Sequence, residues 1–479
     1  MSMIAINKLK KAIFPLGAVL GVLGILVVGS LISGIAKAAV SAEDRARIGL
    51  EGTELTPSGA VRAGNAEGTI PEWKNKLVAT PPGYQRGDFP PDPFAGDKVL
   101  FTITPQNYQE YADKLSEGQK KMFETYPDYY MNIYPSRRSI VFKPHIYEAA
   151  LKNLDRVEFV TTDKDMGMIG YRGARRAWAF PIPKTAEEAF LNQQSRPRPV
   201  WYDARETTTP VASTGDFVPN ILQVNFHHKW SDPDIPEDHP DGSAEENIIL
   251  YSQVLVAPAK VAGQVVLALE PVSFTKNYRK AWAYSPGQRR VKRAPQIIHD
   301  NPITAGDGLG TTDQGYGFNG PNDRFSYKLL GKREVYIPYN PYKLIQKEAT
   351  VDAVIKDNGR LDQDFARYEL HRVWVIESTL KEGTSHAYSK RVYYLDEDSW
   401  EVALVDLYDR RGGLWRHWED HTLFYYDEQA TNRVAEISYD FDAHRMLALM
   451  INKDRAPNFD WRAPDTWFTP AAVRRRGIR

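Results

Sequence analysis

The feature that most constrains the fold is a series of strand-like runs cut by tight turns between residues 371 and 426. His371–Thr379 is rich in β-branched and aromatic residues, and Lys381-Glu382-Gly383-Thr384 turns the chain. Ala387–Leu395 pairs back, Asp396-Glu397-Asp398-Ser399 turns again, and Trp400–Tyr408 follows. Asp409-Arg410-Arg411-Gly412-Gly413 then leads into Leu414–Tyr426. Strands at short, regular spacing joined by tight turns specify an antiparallel meander. A parallel α/β sheet would need helices between them, and the text offers none. Val261–Glu270, Ala281–Tyr284 and Arg289–Lys292 extend the β reading upstream, the last two joined by a turn at Ser285-Pro286-Gly287-Gln288. Alternation sends Trp400, Val402 and Leu404 to one face and Glu401, Ala403 and Val405 to the other. Both faces carry apolar residues, so a sheet curled round a hydrophobic interior is expected, with helices or a strap closing its mouth.

The amino terminus reads as an export leader. Lys8, Lys10 and Lys11 precede an uncharged run from Ala12 to Ile35, which ends at Ala36-Lys37-Ala38. A positive start, an apolar core and small residues at an A-x-A site make a secretory signal, cleaved after Ala38. The rival reading is an uncleaved anchor. The run exceeds the usual apolar core of about 7–15 residues, and at about 1.5 Å per residue it could cross a bilayer core of about 30 Å. The expected location is the periplasm, with outer-membrane association left open. The chain has no cysteine, which excludes a lipid-bearing cysteine, thiol catalysis and disulfides. Lysines plus arginines equal aspartates plus glutamates, 61 each, and residues 1–38 hold four lysines and no acid, so the remainder is near −4. That balance argues against nucleic acid as a partner.

Between leader and meander, residues 39–103 are irregular and rich in Gly and Pro. They read as an extended strap anchored by Trp73, Tyr84, Phe89 and Phe94, with a disordered leader as the alternative. Residues 104–220 form a helical and mixed segment. Thr104-Pro105 opens one helix, Ser116-x-x-Gln119 a second that Pro127 stops, and Thr185-x-x-Glu188 a third over Ala186–Gln194. The antiparallel β domain is placed at 221–430. A C-terminal strap over 431–479 ends in the basic Arg474-Arg475-Arg476-Gly-Ile-Arg479, a solvated tail or a contact for anionic lipid headgroups.

Catalytic and metal motifs were sought in turn. No G-x-S-x-G elbow and no H-E-x-x-H occurs. Gly315-Tyr316-Gly317-Phe318-Asn319-Gly320 matches G-x-G-x-x-G in spelling, but Pro321 follows and no βαβ unit surrounds it, so it reads as a glycine-rich loop. His227-His228 and His239 flank Asp232, Asp234, Glu237, Asp238 and Asp241. Pro233, Pro236 and Pro240 make this a solvated loop rather than a metal site. His417 and His421 lack an obvious third ligand, and Asp396-Glu397-Asp398 lacks the glycine and terminal glutamate of a calcium loop, so it reads as a polar turn. Asp362, Asp364 and Glu369 are either a hydrolytic carboxylate pair or solvated acids. No catalytic residue, metal or cofactor is assigned. Aromatics are abundant, 26 Tyr and 11 Trp, and many fall in apparent strands. They build either an aromatic core or the lining of an apolar cavity. The candidate lining is Trp282, Tyr284, Trp374, Tyr394, Trp400, Val402 and Leu404.

Several stretches resemble one bacterial family, the domain of unknown function numbered 1329. They are Gly64–Trp73, Ala281–Pro295, Phe318–Arg324, Gly331–Asn340 and Tyr388–Trp400, in order along the chain down to Phe468-Thr469-Pro470. That family is in turn similar to the periplasmic lipoprotein carriers LolA and LolB. The resemblance implies a mainly β (α+β) fold: a curved antiparallel half-open barrel with lid helices, here with an extended N-terminal strap. It also implies a carrier for a lipid or other hydrophobic molecule, serving a resistance-nodulation-division type exporter and an outer-membrane protein. The missing lipid-bearing cysteine departs from LolB, and the extra N-terminal half departs from both carriers. The alternatives are an envelope lipid or ester hydrolase and a non-catalytic assembly partner of an outer-membrane complex.

Overall fold

The computed structural model describes residues 36–37, 40–162, 167–236, 247–271, 274–275 and 278–477. The leader falls almost wholly outside them, as does His239. Among the described residues no helix is long and apolar enough to cross a membrane.

Fifteen strands form one sheet. Two short ones come first, β1 (Phe101–Ile103) and β2 (Met131–Tyr134). A run of six follows: β3 (Trp201–Val211), β4 (Asn220–His228), β5 (Asn247–Ala257), β6 (Val265–Pro271), β7 (Lys280–Ser285) and β8 (Arg290–Arg293). A run of seven completes it: β9 (Phe325–Pro338), β10 (Tyr368–Leu380), β11 (Lys390–Asp396), β12 (Val402–Tyr408), β13 (Leu414–Tyr425), β14 (Ala430–Asp440) and β15 (Arg445–Ile451). Each run is a consecutive antiparallel meander, and β15 pairs with β3 to join them. The sheet is not closed, and β8 forms one edge. Strand β9 touches β12 and β13 although β10 and β11 separate them in the sheet. The sheet is therefore strongly curled, as long twisted sheets are.

The sheet overruns the span of 221–430 expected from the sequence, taking in β1, β2 and β3 before it and β14 and β15 after it. The expected C-terminal strap at 431 is instead a strand. The reason lies in β14, whose text Ala430-Thr-Asn-Arg-Val-Ala-Glu-Ile-Ser-Tyr-Asp440 reads as polar, yet every residue of it is buried. Its charges are neutralised inside: Arg433 meets Glu206 at 2.7 Å and Glu436 at 2.9 Å. Buried charges persist when paired in this way.

Four α-helices of eight or more residues occur among the described residues: α1 (Glu117–Thr125), α2 (Pro144–Arg156), α3 (Ala186–Ser195) and α4 (Pro470–Gly477). Helix α1 starts in a complete capping box between Ser116 and Gln119, and α3 starts on the Thr185 hydroxyl. The helix expected from Pro105 is a 3-10 turn, Tyr108–Lys114. The Asn107 side chain holds Thr104 N at 2.7 Å and Thr102 O at 3.1 Å, a local bonding pattern that competes with a regular helix start. Helix α2 has no side-chain cap, but Pro144 opens it and Ile146, Tyr147, Ala149, Ala150 and Leu154 form its buried stripe. Residues 48–100 carry little regular structure and cross the body, with Ile70 and Trp73 buried and Tyr84, Phe89 and Phe94 partly so. Arg474–Arg476 belong to α4 rather than to a frayed tail, because Val473 is fully buried against β6 and β7.

Candidate functional site

Alternation along the strands leaves one face of β3–β6 and β13–β15 turned towards the segment 294–322, and a cavity of about 200 Å3 lies between them. Its walls are mostly apolar: Leu222 and Phe226 on β4, Ile249 on β5, Val266 and Ala268 on β6, Leu447 and Leu449 on β15. Ile297, Ile303 and Tyr316 contribute from the covering segment. That segment is tied down by charge. Asp313 Oδ2 is 2.7 Å from the Arg391 guanidinium and 3.2 Å from His386 Nε2, all three fully buried. Burial favours the neutral acid, but the cation beside Asp313 outweighs it and holds the carboxyl well below its ordinary range. Gln193 on α3 donates to Tyr316 O and Phe318 O. Gly317, at φ 89°, passes so close to β12 that a Cβ there would lie 2.4 Å from Val402 Cβ. Only glycine combines that φ with that approach.

Three arginines line the cavity. Arg433 is held by Glu206 and Glu436. Arg279 meets Glu270 at 2.5 Å and donates to Ile297 O and Asn319 O. Arg198 has no carboxylate partner among the described residues; its guanidinium lies over the Tyr316 ring at 4.2 Å, as that of Arg433 does at 4.3 Å. Burial, and then the nearby Arg196, lower the Arg198 pKa to about 10. His228, 1 % exposed, also faces the cavity. A second cavity of similar volume lies by Arg86, Lys143, Asp232 and Glu428 and is far more polar.

The seven residues expected to line a cavity lie elsewhere. Trp282 and Tyr284 on β7 stand opposite Leu267 and Val265 on the outer face, where Phe468 and Val473 cover them. Trp374 and Trp400 stack on each other at 5.4 Å with 15° between planes. Trp400 is fully buried outside any strand, at φ 61°, and donates from Nε1 to Ser58 O of the strap at 2.8 Å. Val402 and Leu404 do not share a face, because the β11–β12 register shifts between Tyr394 and Leu395. Val402 meets Gly317, whereas Leu404 stands opposite Tyr394, whose hydroxyl bonds Asp406 under α1.

The chemistry-bearing clusters are structural. The turn 396–399 is buried rather than solvated: Arg138 bonds Asp398 at 2.6 Å, and Val61 N donates to Glu397. His371, Asp396 and Asp398 bring ligand atoms within 4.8 Å of one another; Arg138 pairs with Asp398, and Arg372 with the adjacent Glu397. Burial, and then Asp398, raise the Asp396 pKa to about 7. Under α1, His417 Nδ1 is 2.8 Å from Asp406, and Glu419 lies between His417 and His421, 3.6 Å from each. Asp362 and Asp364 bond Tyr130 near the surface, whereas Glu369 is buried on Arg367 and His371, so they form no catalytic pair. His227 pairs with Asp232 at 2.7 Å inside the protein.

A family model described as "Protein of unknown function (DUF1329)" matches residues 102–474. The chain belongs to the DUF1329 family. An uncharacterized protein of Pseudomonas aeruginosa is 40% identical to it over 454 residues, covering 94% of this chain and 97% of that protein. Among solved structures, a DUF1329 family protein from Desulfovibrio piger is 14% identical with a TM-score of 0.38, covering 60% of this chain and 95% of its own. A LolA superfamily protein from Nitrosomonas europaea, also 14% identical, has a TM-score of 0.34 and coverage of 60% and 98%. The DUF1329 match begins at β1 and runs through α4, so it spans every strand that lines the cavity.

Proposed function

We propose that this DUF1329 protein is a periplasmic binding or carrier protein for a lipid or other hydrophobic molecule, working with an envelope exporter of the resistance-nodulation-division type and an outer-membrane partner. The observation that carries the reading is the cavity of about 200 Å3 on the inner face of the curled sheet. Apolar walls with a few placed polar groups are what a small-molecule site requires. Burial at about 25 cal/mol per Å2 of apolar surface holds an acyl chain without covalent chemistry. A hydrolase of the triad type would need a nucleophile, a base and an orienting acid. Ser231 Oγ lies 3.0 Å from His228 Nδ1, but no carboxylate engages the other ring nitrogen.

Native mass spectrometry of protein extracted from its own envelope tests the proposal. A lipid-like adduct is expected, and the delipidated protein should bind a fluorescent fatty acid. Leu449→Trp, which fills the cavity, should abolish binding of that probe while the protein stays folded. Wild-type protein that carries no adduct and binds no lipophilic probe would sink the carrier reading.

A further inference from the structure

Two hydrogen-bond donors at one end of the cavity have no acceptor. Arg198 backbone N donates to Ser231 Oγ at 3.1 Å. Ser231 Oγ in turn lies 3.0 Å from His228 Nδ1. Imidazole Nδ1 can accept from the hydroxyl only in the tautomer that carries its proton on Nε2. Burial, and then Arg198, push the His228 pKa well below its ordinary value, so the ring is neutral, and with Ser231 donating to Nδ1 its proton is assigned to Nε2. Its Nε2–H is buried and meets no partner. The Arg198 side chain presents its planar fork of donors to the same cavity and makes no hydrogen bond or ion pair among the described residues.

The other charges nearby are already engaged. Arg196 is paired with Glu401 at 2.6 Å. Glu206 accepts from Arg433 and Tyr202, and Glu436 from Arg433 and from Tyr316 N. Glu270 stands two strands from His228 in the row His228–Ile249–Glu270, roughly 10 Å away at the usual strand spacing. Its Oε1 is held by Arg279, and its Oε2 is buried without a hydrogen-bond partner among the described residues. The Arg198 guanidinium is half-buried in the cavity wall, and its planar fork suits carboxylate and phosphate oxygens.

We propose that Arg198 and His228 hold the oxyanion headgroup, a carboxylate or a phosphate monoester, of an amphiphile whose hydrocarbon part lies along Phe226, Ile249, Ala268 and Leu449. This rests on the carrier reading and names its ligand class. Ser231 ties the His228 ring to the Arg198 backbone, and the Tyr316 ring lies under the Arg198 guanidinium at 4.2 Å, so both donors are positioned by the protein.

Calorimetric titration of the delipidated full-length protein with decanoic acid, decyl phosphate and decanol separates the two ideas. At least one acid should bind roughly tenfold or more tighter than decanol, since hydrogen bonds to a charged group carry that much. The acid preferred identifies the headgroup as carboxylate or phosphate. Arg198→Met should remove the preference, and Arg198→Lys, which keeps the charge but not the fork, should retain part of it. A thermal melt of each variant shows that it is folded. If wild-type protein binds decanol as tightly as both acids, or if folded Arg198→Met keeps the preference, the headgroup proposal is overturned and the carrier reading stands. If none of the three binds, the carrier reading falls with it.

Discussion

Replacing Trp400 by alanine separates packing from ligand binding in one variant. Its indole is fully buried, stacked on Trp374, and bonded through Nε1 to Ser58 O. Truncating a buried tryptophan to alanine costs about 3–5 kcal/mol. The Ser58 carbonyl then loses its donor inside the protein, for about 1 kcal/mol more. Alanine gains nothing at φ 61°, because any residue with a Cβ is disfavoured there. The sum is about 4–6 kcal/mol. The unit from Ile35 to Arg479, at about 2.1 cal/mol/K per residue, unfolds with an entropy of about 0.9 kcal/mol/K. The melting temperature should therefore fall by about 4–6 °C, a small shift for a large loss because the unit is large. Scanning calorimetry measures the shift, and urea unfolding measures the free energy directly. Binding of a fluorescent fatty acid by the folded fraction should be unchanged, since Trp400 does not line the cavity. An unaltered melt with abolished probe binding would refute the packing account and return Trp400 to the ligand site.

Four other outcomes follow from the structure. Burial opposes protonation of His417, but hydrogen bonds to Asp406 and Glu419 raise its pKa to about 9. Its contribution to stability is thus complete below about 6.5 and lost as pH rises through about 9. His417→Gln should flatten the urea midpoint across that window. Glu419, lowered to about 2 despite burial, gives the opposite dependence: its contribution is present above about 4.5 and lost as pH falls through about 2. Asp396 has a raised folded-state pKa of about 7, so stability falls as pH climbs from about 4 to 7. Asp396→Asn should be more stable than wild type at pH 8 and no more stable at pH 4, as read by urea unfolding at both. Gly317→Ala would drive a Cβ into Val402 at a positive φ and should destabilise by about 1–3 kcal/mol in the same assay.

What the sequence revealed and what it hid divide along the range of the interactions. The meander from β10 to β13 was legible because turn residues and alternating strands are neighbours in the chain. The capping box at Ser116 and the hydroxyl cap at Thr185 are legible for the same reason. β14 was not, because its polar residues are made tolerable by partners far away: Arg433 and Glu206 are 227 residues apart. The cavity was missed similarly. Four of its walls come from β3 to β6, and its cover comes from a glycine-rich segment whose spelling identified the loop but not what it covers. His228 was noticed beside His227, but as part of an acidic loop. Its place on a strand facing inward depends on the pairing of β4 with β5. Val402 and Leu404 went astray through one irregular step in the register of β11 and β12, since a single extra residue reverses every face beyond it.

The charges around the cavity also explain why it stays open. Buried ionic groups fix the cavity on both sides. The covering segment is held by Asp313, Arg391 and His386, and by the α3 side chain of Gln193. The walls are held by Arg433 bridging β3 and β14, and by Arg279 joining Glu270 to the cover. Moving the cover onto the walls would separate buried partners, and leaving one charge of a buried pair unmatched costs about 3–5 kcal/mol. The ion pairs therefore act as struts that fix the shape of the cavity.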